Sequence, residues 1–118
     1  MLNIRDELSI HIHCAPIDMR KAVNGLSALV VDEFESSPQS GNLYLFYNKT
    51  RNRIKILFWD GNGFVIYYKR LEGNKFMLPR EMDLPNFTIS PEQLSWLLAG
   101  LDFQLMNKFP HLNYSNYY

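Results

Sequence analysis

Two runs dense in aromatic and β-branched residues, Arg53 to Asp60 and Phe64 to Arg70, meet at Asp60-Gly61-Asn62-Gly63. That junction constrains the fold more than any other stretch. Tight primed turns need positive φ, which Gly, Asn and Asp supply at least cost. Flanked by strand-forming runs, the four residues predict an antiparallel hairpin. A third run, Leu43 to Asn48, precedes the pair and extends it into a meander.

The flanking segments add helices and short strands. Leu8 to His13 alternates, with Leu8, Ile10 and Ile12 on one side, and reads as a first strand ended by Pro16. Asp18 is placed to cap a helix from Met19 to Phe34, in which Met19, Val23, Leu26, Val30 and Phe34 form the buried stripe. Ser36 to Asn42 has loop composition. Glu72-Gly73-Asn74 marks a turn before a short strand at Lys75 to Leu78, and residues 80–86 read as irregular. Phe87 to Ile89 reads as an edge strand. Ser90-Pro91-Glu92-Gln93 then carries a complete helix start: Ser at the cap, Pro at the first helical position and Gln closing a capping box. Leu94, Leu97, Leu98 and Leu101 share one face of that helix. The expected class is α+β: an antiparallel meander of four to five strands with two packed helices, in the order β-α-β-β-β-(β)-α. At 118 residues this is one domain, 1–103, followed by an aromatic and loosely packed tail, 104–118. The single Cys14, the polar N-terminus and the lack of a long apolar run suit a cytoplasmic protein without a membrane span.

Period-two alternation sorts the meander residues into two faces. One collects Ile54, Ile56, Phe58, Val65 and Tyr67, joined by Leu43, Leu45 and Tyr47 if the Lys49–Asn52 loop has four residues. The other interleaves cations and rings: Arg53, Lys55, Leu57, Trp59, Phe64, Ile66, Tyr68 and Arg70, with Tyr44 and Phe46. Such a surface suits nucleic acid, cations neutralising phosphates and flat rings stacking on the bases of a single strand. It equally suits a second core layer under the C-terminal helix, or a homodimer contact.

Charge sharpens the contrast. The formal net charge is zero, yet Lys49 to Arg80 holds eight basic residues against two acidic ones, a local net of +6. A second cationic signal, Arg20 and Lys21, falls in the first turn of the expected first helix, where the macrodipole disfavours cations and favours a phosphate. The alternative there is pairing with carboxylates such as Asp18.

Catalytic patterns are weak. His11, His13 and Cys14 lie together, but no Cys-x-x-Cys or His-x-x-x-His spacing completes a zinc set, and no activating context surrounds Cys14. Asp18, Asp60, Glu72 and Glu92 are too scattered to nominate a two-metal nuclease, and no Gly-rich phosphate loop is present. The expectation is a non-enzyme with no catalytic residue, metal, cofactor or small-molecule substrate.

Several motifs resemble a known family. They are Asp18-Met19-Arg20-Lys21 with Gly25-Leu26 and Leu29-Val30; Ser40-Gly41-Asn42-Leu43; Arg53-Ile54-Lys55-Ile56-Leu57 with Trp59-Asp60-Gly61 and Gly63; Tyr68-Lys69-Arg70-Leu71-Glu72 with Phe76 and Pro79; and Leu94, Leu97-Leu98, Gly100 and Asp102. Together they are similar to the TnpB-type accessory proteins, the second open reading frame, of the insertion sequence 66 family of bacterial transposable elements. The resemblance covers Ile10 to Phe103. Ala22 stands where the family usually has Gly, the first strand is not typical, and the aromatic tail is extra. The resemblance implies a protein that assists transposition beside a separate transposase. In that setting Arg20, Lys21, Lys49, Arg51, Arg53, Lys55, Lys69 and Arg70 are the candidate DNA contacts, at the element ends. Tyr44, Phe46, Trp59, Phe64 and Tyr68 are the candidate interaction surface, for the transposase or for a second copy.

Overall fold

The computed structural model describes residues 8–78 and 85–102. The expected tail, 104–118, lies outside the described residues, as do Pro79 and residues 80–84 of the stretch expected to be irregular. The elements are β1 (Ile10–His13), α1 (Val23–Glu33), β2 (Leu43–Tyr47), β3 (Arg53–Trp59), β4 (Phe64–Arg70), β5 (Asn86–Ile89) and α2 (Pro91–Leu98). One five-stranded sheet has the order β4-β3-β2-β1-β5. The class is α+β, as expected. β2, β3 and β4 form the meander, in the register that the alternation implies: Tyr47 pairs with Ile54 and Trp59 with Phe64.

The first strand enters the sheet differently. β1 runs parallel to β2, with α1 as the crossover between them, and β5 closes the far edge antiparallel to β1. This follows from connection length, since antiparallel neighbours need only a tight turn whereas parallel ones need a long crossover.

Each helix covers one face. Ile10, Ile12, Leu43, Leu45, Tyr47, Ile54, Ile56 and Ile89 are buried with Leu94, Trp96 and Leu97 of α2. On the opposite face Tyr44, Phe46 and Leu57 are buried with Leu26 and Val30 of α1. β2 lies between both layers, so all five of its residues are buried and its Leu-Tyr-Leu-Phe-Tyr run shows no polar alternation.

Three local expectations are corrected. The first helix starts at Val23, not Met19, with Ala22 as a cap that makes no side-chain bond. Asp18 turns the chain instead: its carboxylate accepts from the Arg20 amide (2.9 Å), and its carbonyl accepts from the Lys21 amide (3.1 Å). Arg20 and Lys21 therefore precede the helix and do not occupy its first turn. Lys75 to Leu78 is not a strand. Phe76 and Leu78 are buried in the α2-side core, and the Phe76 amide bonds the Arg51 carbonyl (2.7 Å) in place of a ladder.

The second helix start is as expected. The Ser90 hydroxyl accepts from the Gln93 amide (3.1 Å), and the Gln93 side chain accepts from the Ser90 amide (2.9 Å). No helix of the described residues is long and apolar enough to cross a membrane.

Removing a helix cap typically costs about 1 kcal/mol. Ser90→Ala is therefore expected to lower the thermal midpoint by about 4 °C with the native circular dichroism spectrum intact.

Candidate nucleic-acid interface

α1 covers only the end of its face near the Asp60–Gly63 turn, where Leu57, Phe64 and Ile66 lie. At the other end the sheet is left open, and a hollow of about 710 Å³ forms between the sheet and the segment that leads into α1. Its walls are Ile17, Asp18, Met19 and Arg20 from that segment, Asn48, Lys49 and Thr50 from the β2–β3 loop, and Arg53, Lys55 and Tyr68 from the sheet. Four cations thus meet one carboxylate, a net of +3.

Backbone and side-chain bonds hold these walls in place. The Ile17 amide donates to the Tyr47 carbonyl (2.8 Å). The Lys55 ammonium donates to the carbonyls of Met19 (2.6 Å) and Lys21 (2.9 Å). It therefore ties the rim to β3, with its charge directed at carbonyl oxygens. The β2–β3 loop is set by Asn48, whose carbonyl oxygen accepts from the Asn52 and Arg53 amides (3.1 and 3.0 Å). Its amide donates to Thr50 and Asn52 (3.0 and 2.8 Å). That network holds Arg51 in the left-handed region (φ 60°) and presents Lys49 outward.

Arg53 is the cation least provided for. It faces Arg70 across the β3–β4 ladder, on the same side of the sheet. Like charges directly opposite one another are destabilising. Arg70 is drawn aside by Glu72 (2.7 Å), which raises the pKa of its guanidinium by hydrogen bonding. Arg53 makes no ion pair or side-chain hydrogen bond among the described residues, and its Nε is enclosed without a partner.

The remaining candidates divide. Arg20 holds Asp18 through several bonds, the shortest 2.6 Å, and the Asp18 carboxyl falls to about 2 because Arg20 donates to it. The expected carboxylate pairing is therefore real for Arg20, although its side chain stays 92% exposed. Lys21 lends its carbonyl to Lys55 and packs its stem against Gly25, where a Cβ would come within 3.3 Å of it. Arg51 turns away from the hollow, stacks over Tyr47 (5.8 Å) and donates to the Leu78 carbonyl (3.2 Å). Lys69 is on the opposite face, as its alternation with Tyr68 and Arg70 requires, and donates to the Leu98 carbonyl at the end of α2 (2.7 Å). The basic residues of the meander thus do not gather on one side.

The rings divide as well. Tyr44 and Phe46 are fully buried, in a core roofed by α1 and not by the C-terminal helix. The Tyr44 hydroxyl is bonded by Ser36 and Ser40 (2.7 and 2.8 Å). Phe64 packs edge-on to Trp59 (5.0 Å) at the far end of the hairpin. Only Tyr68 opens into the hollow, 48% exposed and without a ring partner among the described residues. Sequence reasoning passed over Ile17, Asn48 and Thr50. The polar spacing Asn48-x-Thr50-x-Asn52 was the available signal for the last two.

The histidines serve packing. His11 stacks on Tyr44 (5.2 Å), and burial lowers its pKa; the His13 Nδ1 bonds the Ala15 carbonyl (2.7 Å). Burial pushes the Cys14 thiol up, away from a reactive thiolate. No group of three metal-ligating side chains occurs among the described residues.

The family model described as "IS66 Orf2 like protein" matches residues 8–108, a span that takes in β1. Two proteins of Sinorhizobium fredii (strain NBRC 101917 / NGR234) are similar over nearly their whole lengths. "Uncharacterized protein y4jC" is 36% identical over 103 residues, 87% of this chain and 87% of its own. "Uncharacterized protein y4hO" is 31% identical over 104 residues, 88% and 90% respectively. No solved structure matches this chain.

Two outcomes follow from the wall geometry. Lys55→Met removes a charged donor from two carbonyls. It is expected to cost about 2 kcal/mol and to speed amide exchange through residues 17–22, measured by hydrogen exchange. The Asp18 pair is stabilising above the ordinary carboxyl value of 3.8 and is lost as pH falls toward about 2. Protection of the Arg20 amide should therefore differ between wild type and Asp18→Asn at neutral pH and converge in acid.

Proposed function

This chain belongs to the IS66 Orf2-like family, and from that premise we propose that it is a DNA-binding accessory factor for transposition. It acts in the cytoplasm at the ends of its element, beside the transposase, and performs no covalent chemistry of its own. The observation that carries this reading is Arg53: a cation set opposite Arg70, unpaired among the described residues, at the floor of a hollow also lined by Arg20, Lys49 and Lys55. A cluster of like charges without matching acids costs stability, and a phosphate backbone supplies the missing counter-charge. Places where a fold breaks a local rule are where function is expected.

A second reading, docking on the transposase or on another copy without DNA contact, draws support from β4. That strand is an outer strand of the sheet, and no strand pairs with its far side among the described residues. An unpaired edge is a template for another chain.

A salt titration separates them. Affinity for DNA carrying the element ends should fall linearly in log–log form, and the slope should shrink by about one per cation removed in Lys49→Gln and Arg53→Gln. Lys69→Gln, on the other face, should leave the slope unchanged. An unaltered slope in the Lys49/Arg53 double variant would overturn the DNA reading at this hollow. A dimer or transposase complex surviving in that variant, with wild-type DNA affinity, would favour the second.

A further inference from the structure

The hollow is a broadly open depression that holds one ring beside its cations. We infer that it takes an unpaired nucleotide of a DNA strand, the phosphates on Lys49 and Arg53 and the base against Tyr68. This rests on the proposed DNA-binding function and narrows it to single-stranded DNA.

Shape is the first ground. A volume of about 710 Å³ lies within the usual 300–1,000 Å³ of small-ligand sites, room for a nucleotide-sized group. In a duplex the bases are stacked on one another and show only their edges in the grooves, so no base face is offered to a ring. A base can enter only where the strand is unpaired.

The second ground is the ring. Tyr44 and Phe46 are buried, and Trp59 and Phe64 contact each other. Tyr68 alone among these candidates is left bare, directly opposite Lys55 and two ladder positions from the Arg53–Arg70 pair, on the same face of the sheet. A flat ring beside phosphate-binding cations is the arrangement by which proteins hold single strands without sequence preference, because every base has a π-face. Asp18 also lines the hollow, but its carboxylate is held by Arg20 and so opposes an incoming phosphate less than a free acid would.

The test compares labelled oligo(dT) with a blunt hairpin duplex of equal charge by fluorescence anisotropy, using wild type, Tyr68→Phe, Tyr68→Leu and the Lys49/Arg53 double variant. Oligo(dT) should bind more tightly than the duplex. Tyr68→Phe should retain that preference, while Tyr68→Leu, which keeps apolar bulk without a flat face, should weaken oligo(dT) binding at least about five-fold. Thermal unfolding confirms that the leucine variant is folded. Equal affinity for both DNAs, or wild-type affinity in Tyr68→Leu with loss in the Lys49/Arg53 variant, would overturn this inference and leave duplex binding standing. Affinity unchanged in every variant would overturn both. An oligo(U) strand bound as tightly as oligo(dT) would overturn the assignment to DNA.

Discussion

A single short helix cannot roof this sheet, and much of the structure depends on that mismatch. α1 has 11 residues, about 16 Å of helix. The sheet it lies on is about 19 Å across its strand axes, and β3 and β4 are each about 23 Å long. The helix is therefore placed where burial gains most, over Tyr44, Phe46 and Leu57. The loop end of β3 and β4 stays open, and the segment before α1 stands as a wall beside it.

That wall is not held by apolar packing alone. Ile17 bonds the end of β2, and Lys55 reaches across from β3 to two carbonyls of the turn that Asp18 begins. Lys55 thus does two things: its ammonium satisfies backbone acceptors that the late helix start leaves free, and its charge adds to the hollow. Arg51 and Lys69 are used in the same manner elsewhere, on Leu78 and Leu98 carbonyls. Lys49 and Arg53 have no such internal use among the described residues, and this difference in employment, more than the number of basic residues, marks the hollow.

Membership in a family of insertion-sequence proteins supplies the setting in which such a hollow has a purpose. The proposed role needs DNA to be held, and the walls here carry four cations and one bare ring, with a single carboxylate already engaged by Arg20. Among the described residues the outer side of β4, the strand that carries Tyr68, pairs with no other strand, so a partner strand added there would border the hollow. The two proposed contacts, with DNA and with protein, would therefore be neighbours and not competitors for one surface.

The turn chemistry at Asp60–Gly63, the four-residue loop at Lys49–Asn52 and the Ser90–Gln93 capping box were all legible in the sequence, because each is decided by residues within a few positions of one another. So was the partition of the meander into two faces, which needs only alternation and register. By the same rule Lys69 belonged with Ile54 and Tyr67, and its grouping with Arg70 was a misreading of charge over geometry. The sequence by itself therefore determined the three meander strands, their order and the face on which each of their side chains lies, but not the conformation of Lys75 to Leu78, where a strand was expected and none forms. Which helix covers which face, the parallel seat of β1, the burial of Tyr44 and Phe46, and the meeting of Arg20 with Arg53 were decided only in the tertiary structure. Each helix carries an apolar stripe, Leu26 and Val30 on α1 and Leu94, Trp96 and Leu97 on α2, and helix length against sheet width, a property of the assembled layers, settles what is roofed and what is left open.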